Sequence, residues 1–215
     1  MDINLELGIV TKVDAINSVL ASIGSIGINS DEEIDWNVDA ADASRMIDNI
    51  SQQVQTNDGK GFWFNRETFH KFKPNYVNGF VSVPSNTLSC LVNRDRNGKP
   101  LPITLRGKRM FDAQNFGYDM RELASSDGFV YCTLVVALPF EDLPATAKHY
   151  ITVMSRFWTV SDKEGDQIKL NQLGQAASIA ENSLKREDGR QRRHNMFDNP
   201  TIKSTVAKVG GWINN

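Results

Sequence analysis

Residues 143–193 read as two long helical runs joined by a polar break, and this pair limits the fold more than any other stretch. Ala147, Tyr150, Ile151, Met154, Phe157 and Trp158 recur at spacings of three and four and so share one helix face. Pro144 stands where a first helical residue tolerates proline, since that N–H has no intrahelical partner. Lys163-Glu164-Gly165-Asp166 interrupts the pattern, and Leu173, Ala176, Ala177, Ala180 and Leu184 then line a second stripe. At ~1.5 Å per residue, the run from Asp166 to Arg193 reaches about 40 Å. A helix of that length overhangs the core of a small chain, and overhang predicts packing against a neighbour.

The rest of the helical text precedes a change of period. Thr11 and Asp14 have capping-box spacing, and Ile16, Val19, Leu20 and Ile23 follow on one face until Gly24 stops the helix. Gly24 and Gly27 do not make a phosphate loop, because no Gly-Lys-Ser/Thr follows them. The acidic loop Ser30-Asp31-Glu32-Glu33-Ile34-Asp35 reads as solvent-facing charge that suits a helix start. A second helix is expected from Val38 to about Thr56, with Ala43, Ile47, Ile50 and Val54 as its stripe, ended by Asn57-Asp58-Gly59-Lys60-Gly61. From Phe62 to Leu138 the pattern is strand-like, opening on Trp63 and Phe64. Val81-Ser82-Val83 reads as a short edge strand stopped by Pro84, and Asn97-Gly98 as a hairpin turn. Phe129 to Leu138 is apolar on both alternations and should be the most buried strand.

This layout predicts an α+β fold: a bundle of about four helices (residues 1–61 and 141–193), an inserted antiparallel β lobe (62–140) and an extended C-terminal arm (194–215). The arm shows no periodicity, and Phe197, Ile202, Val206, Val209 and Trp212 have no core of their own. An aromatic on such an arm is a natural anchor in another protein's pocket, which makes Phe197, Ile202, Val206 and Trp212 candidate partner-binding residues.

Charge and chemistry exclude more than they assign. Net charge is −2 over 215 residues, so no bulk field draws the chain to nucleic acid or an anionic membrane. No apolar run approaches the ~20 residues of a membrane span, and the opening residues do not read as a signal peptide. Cys90 and Cys132 form no CxxC pair and read as buried free thiols. His70, His149 and His194 are far apart and offer no metal-ligand spacing. Glu141 and Asp142 could serve a hydrolase as paired carboxylates, but they also complement the helix start at Pro144. Lys185, Arg186, Arg190, Arg192 and Arg193 form a basic cluster at a helix C-terminus, without aromatic interleaving. A second scatter, Arg94, Arg96, Lys99, Arg106, Lys108 and Arg109, falls on the β lobe. Both suit contact with phosphates in passing or an acidic partner better than sequence readout. Neither a catalytic residue nor a cofactor or metal ligand emerges. A hydrolase and a DNA-binding module stand as rival readings.

Several motifs, taken in order, resemble the tail tubular protein A family of short-tailed, T7-like phages. They are Asp14-Ala15-Ile16-Asn17-Ser18-Val19-Leu20-Ala21-Ser22-Ile23-Gly24, then Asn37-Val38-Asp39-Ala40-Ala41, then Gln53-Val54-Gln55 leading to Phe62-Trp63-Phe64-Asn65. Arg106-Gly107-Lys108 with Met110-Phe111-Asp112, Leu143-Pro144 with His149-Tyr150-Ile151, Ser155-Arg156-Phe157, and Asn195-Met196-Phe197 complete the set, over roughly residues 11 to 200. The link at Thr56 to Gly61 is longer than the family's usual one, and Lys203 to Asn215 extends past its usual end. The resemblance implies a head-to-tail adaptor without catalytic residues: a dodecameric homo-oligomeric ring between the portal and the tail nozzle, with DNA passing non-specifically through its lumen. It implies a virion component of the neck region, made in the host cytoplasm. The bundle would meet the portal and ring neighbours, the β lobe the nozzle, and the arm the portal or an adjacent subunit.

Overall fold

The computed structural model describes residues 11–92 and 101–192. Four α-helices carry the first of two hydrophobic clusters: α1 (Lys12–Ser22), α2 (Val38–Thr56), α3 (Ala145–Lys163) and α4 (Gln167–Gln191). The expected capping box opens α1, with the Thr11 hydroxyl accepting from the Asp14 amide and the Asp14 carboxylate accepting from the Thr11 amide. Just past its end Gly24 takes a φ of +70°, which a side chain would resist. A short 3-10 helix (Asp31–Trp36) then leads into α2, whose first turn is capped by the Asn37 side chain on the Ala40 amide at 3.2 Å. Helix α2 spans the expected residues and stops at Asn57, which adopts the left-handed conformation.

Helices α1, α2 and α3 pack on one another, and α4 packs on α3. Ile16, Val19, Leu20, Ile47, Ala147 and Ile151 form the buried centre, closed at the lobe end by Phe62, Phe140 and Leu184. The apolar stripe of α3 is met in part, with Ala147 and Ile151 in the core and Tyr150 and Met154 packed against it, but the buried face is wider than the stripe. Thr152 and Ser155 are fully buried, whereas Trp158 is 43% exposed and Phe157 half-buried. Helix α3 is covered on more than one side, and small side chains let its neighbours approach. The Thr152 and Ser155 hydroxyls donate back to the carbonyls of Lys148 and Ile151 at 2.8 Å each, so neither hydroxyl is stranded. Pro144 is the N-cap of α3 rather than its first helical residue.

The second cluster belongs to the strands. β1 (Arg66–Phe72), β5 (Val130–Val136) and β2 (Thr87–Val92) form an antiparallel sheet in the order β1-β5-β2. β3 (Ile103–Arg106) and β4 (Arg109–Asp112) form a separate hairpin. As expected, β5 is the central and most buried strand, with Val130, Cys132, Leu134, Val135 and Val136 inside. Both cysteines are free and buried. Trp63 and Phe64 do not open a strand. They sit in a turn held by the buried Asn65, whose carbonyl accepts from the Phe62 amide at 2.8 Å. The expected strand at Val81-Ser82-Val83 reduces to one bridge, Ser82 to Arg109, beside β4. The turn expected at Asn97-Gly98 and the whole C-terminal arm lie outside the described residues.

Candidate interaction surfaces

The informative features among the described residues are charges and apolar side chains left facing outward. Among the described residues no group of three His, Cys, Asp or Glu could hold a metal ion, and no helix is long and apolar enough to cross a membrane. Among the described residues no base approaches Glu141 and Asp142, which are exposed. Glu141 accepts from the Lys12 amide at 3.4 Å. His149 is exposed, and His70 faces Glu67 at 3.0 Å near the lobe surface.

The basic cluster on α4 divides by role. The Lys185 ammonium pairs with Glu181 one turn back at 2.5 Å, and the Arg186 guanidinium donates to the Asn182 carbonyl at 3.2 Å. Arg190 is exposed. Arg192 turns inward instead: its Nε donates to Asp188 at 2.7 Å and its Nη2 to the Gly61 carbonyl at 2.6 Å. Asp188 also accepts from the Trp63 amide at 3.0 Å, so this pair clips the end of α4 to the turn leading into β1. Arg193, Phe197, Ile202, Val206 and Trp212 lie outside the described residues, as do Arg94, Arg96 and Lys99.

The cations of the second scatter that can be described sit on the β3–β4 hairpin. Arg106 and Arg109 are directly opposed in register, flanking a turn in which Gly107 has φ +62°. Their guanidinium groups lie over the rings of Phe111 and Phe80, at 3.4 and 5.3 Å from the ring centres. The Lys108 ammonium donates to the Thr87 carbonyl at 3.3 Å. A cleft of about 490 Å³ elsewhere in the lobe is lined by Lys73, Tyr76 and Arg121, but Arg121 is engaged by Asp119, which holds the Asp119 carboxyl below its ordinary range.

The far end of the bundle carries features that sequence reasoning missed. Ile26, Trp36 and Val38 are 86, 90 and 76% exposed. A hydrogen bond of 2.7 Å from the Ser25 hydroxyl to Asp39 ties the loop after α1 to the start of α2 beside them. Asp39 is also bonded by Lys163 at the end of α3. That contact holds the Asp39 carboxyl low and the Lys163 ammonium high. Trp36 had a signal, a large aromatic ending an acidic run, but a single 3-10 turn has no periodicity to betray which way a side chain points. Further round, a cleft of about 430 Å³ opens between α1 and α4, lined by Ala21, Ser22, Arg156, Lys169, Gln172, Leu173 and Ala176. Arg156 lay in a quoted motif without a role, and its burial could not be read from spacing.

The family model described as Tail tubular protein matches residues 13–197, which takes in every described helix and strand except the first residue of α1. No match was found among curated proteins. The match extends over most of the chain and agrees with the family that its motifs resemble: the chain belongs to the tail tubular protein family, whose members are structural proteins of the phage tail.

Proposed function

We propose that this chain is a non-enzymatic, ring-forming head-to-tail adaptor. Copies of it close a ring, dodecameric by family resemblance, that seats on the portal above and receives the tail nozzle below, with DNA passing through the lumen. The observation that supports assembly best is helix α4. Its 25 residues extend about 37 Å, yet only Leu173, Ala177, Ala180 and Leu184 are buried, while Ile168 and Ile179 are 72 and 66% exposed. Apolar area left in water is worth about 25 cal/mol per Å² when a neighbour covers it. The arm from His194 to Asn215 adds apolar anchors for the portal, and its docking there would couple ring closure to portal binding.

Sedimentation and particle imaging of the purified chain, with and without portal, test this reading. The expected result is a closed ring near twelve copies that joins the portal. A chain that stays monomeric at every concentration and ignores the portal overturns it. Deleting His194 to Asn215 should leave a folded chain that no longer joins portals, and Trp212→Ala should weaken attachment at an unchanged melting temperature.

A further inference from the structure

We infer that the cleft between α1 and α4 receives the acidic, tryptophan-bearing segment Asp31–Trp36 of a second copy of this chain. The inference rests on the assembly reading above and names one contact that would join the copies.

The cleft is set up for an anion that the chain does not supply. The Nε of Arg156 is fully buried and has no hydrogen-bond partner, and among the described residues the guanidinium has no carboxylate within ion-pair distance. The buried Nε is closed to solvent, so an outside carboxylate would pair with the Nη groups of this half-buried side chain, which have no ion-pair partner among the described residues. The other cation, Lys169, is already spent on Glu164 at 2.7 Å and on the Ser22 carbonyl at 3.4 Å. Ala21, Leu173 and Ala176 give the cleft an apolar wall. The site therefore asks for a carboxylate beside a flat apolar group. A guanidinium matches both, because it takes a carboxylate along its edge and a ring on its face.

The chain carries that combination elsewhere. Asp35 and Trp36 are adjacent, and Trp36 is 90% exposed. Asp31, Glu32 and Asp35 form no ion pair among the described residues, while Glu33 is occupied with Asn29 at 3.3 and 3.4 Å. The two surfaces do not meet within one chain, since Trp36 forms no part of the cleft wall. They do lie at the same end of the bundle. Ser22 at the end of α1 lines the cleft, and Ser25, three residues on, is bonded to Asp39 just past Trp36. They also lie on different helices of the core, for the acidic segment packs on α2 and the cleft is formed where α4 joins α3 and α1. A contact between two different surfaces of identical copies is heterologous, the kind that yields a ring when the rotation between copies closes.

Charge reversal tests this directly in the full chain. Arg156→Glu opposes the acidic segment, and Asp35→Arg opposes the cleft, so each variant alone should fall to monomer mass at concentrations where the wild type is assembled. Mixed together, they present alternating contacts that are all complementary, and the wild-type assembly mass should return. Recovery on mixing cannot come from misfolded chains. Trp36→Ala, a change at an exposed side chain, should keep the wild-type melting temperature and raise the concentration needed for half-assembly at least tenfold. Variants that assemble like the wild type, or singles that fail and do not recover on mixing, overturn this contact while the ring stands. A wild-type chain that never self-associates overturns the ring reading and this contact together.

Discussion

The Gln55 side chain and the Leu138 backbone, 83 residues apart, bond to each other in both directions: Leu138 N–H donates to Gln55 Oε1 at 2.8 Å and Gln55 Nε2 donates to the Leu138 carbonyl at 3.0 Å. Gln55 is 1% exposed and closes the last turn of α2 against the chain leaving β5, so one amide joins the helical and strand regions. Replacing it by alanine leaves two partly buried backbone groups without partners. Gln55→Ala should lower unfolding stability by about 2–4 kcal/mol in urea titration. It should also remove hydrogen-exchange protection at the Leu138 amide, and a protected Leu138 in the variant would show that the clasp is dispensable.

Asn65 completes the same junction from the other side. Its Nδ2 donates to the carbonyls of Gln55 and Val136 at 2.9 and 3.0 Å, and it is 1% exposed. An aspartate there keeps the shape but brings an acceptor to face two acceptors. Burial and those carbonyls would raise its folded pKa above the unfolded value of about 3.9. A raised carboxyl pKa means the folded state holds its proton longer, so stability relative to wild type should fall as pH climbs from about 4. Chemical denaturation of Asn65→Asp at pH 4 and pH 7 should show the larger deficit at pH 7.

Asp39 and Lys163 tie the start of α2 to the end of α3, and each is shifted toward its charged form, Asp39 downward and Lys163 upward. The depressed carboxyl contributes stability above its unfolded pKa that is lost as pH falls through the folded one. The raised ammonium contributes stability below its unfolded pKa, lost as pH rises through the folded value. Their joint window therefore runs from about pH 4 to about pH 10. Asp39→Asn should lower the melting temperature at pH 7 and low salt, with the difference from wild type shrinking toward pH 2. The pair is solvent-exposed, so added salt should shrink it too. A deficit that is constant in pH would show that neither the Lys163 contact nor the Ser25 hydrogen bond, both of which favour the charged carboxylate, accounts for it.

Cys90 and Cys132 lie on adjacent strands of the inner sheet, and the neighbouring Cys90 sulfur together with burial pushes the Cys132 thiol up. A thiol held protonated in the core is a poor nucleophile. The same contact lowers the Cys90 thiol, so burial alone shields Cys90; thiol-specific labelling at pH 8 should leave both cysteines unmodified in the folded chain and modify both in denaturant. Rapid labelling of either in the native chain would place it at a mobile edge.

How far the sequence foretold this structure depends on how regular each signal was. Helix α2 was legible nearly to its ends because its stripe is uninterrupted and Asn57-Asp58-Gly59-Lys60-Gly61 breaks the pattern after it. Strand β5 was legible because apolar residues on both alternations have few other homes. The buried face of α3 was legible in part: Ala147 and Ile151 are inside as the stripe predicts, but a crowded helix also takes Thr152 and Ser155 inside and leaves Trp158 out. The turn at Trp63 and Phe64 was misread because Asn65 acts through tertiary hydrogen bonds that no local pattern carries. Trp36 and Arg156 were invisible for a related reason: exposure and an unmet charge are properties of the surroundings, not of spacing.

Phe69 shows the same limit and offers a last test. It sits inside β1 with φ +60°, where the pairing with β5 shifts between Glu67 and His70, and the distortion leaves its ring 76% exposed. An aromatic residue in the left-handed region carries a backbone penalty of about 1–2 kcal/mol that glycine does not. Were the ring only a passive surface group, Phe69→Gly would relieve that strain and stabilise the folded chain by up to about 1 kcal/mol, after the entropy cost of glycine in the unfolded state. Paired measurements of unfolding and of assembly separate the alternatives. A more stable chain that assembles normally marks the conformation as incidental. A more stable chain that fails to join its neighbours or the nozzle would mean that the strain is retained to present the ring to a partner, as strained residues at functional positions commonly do.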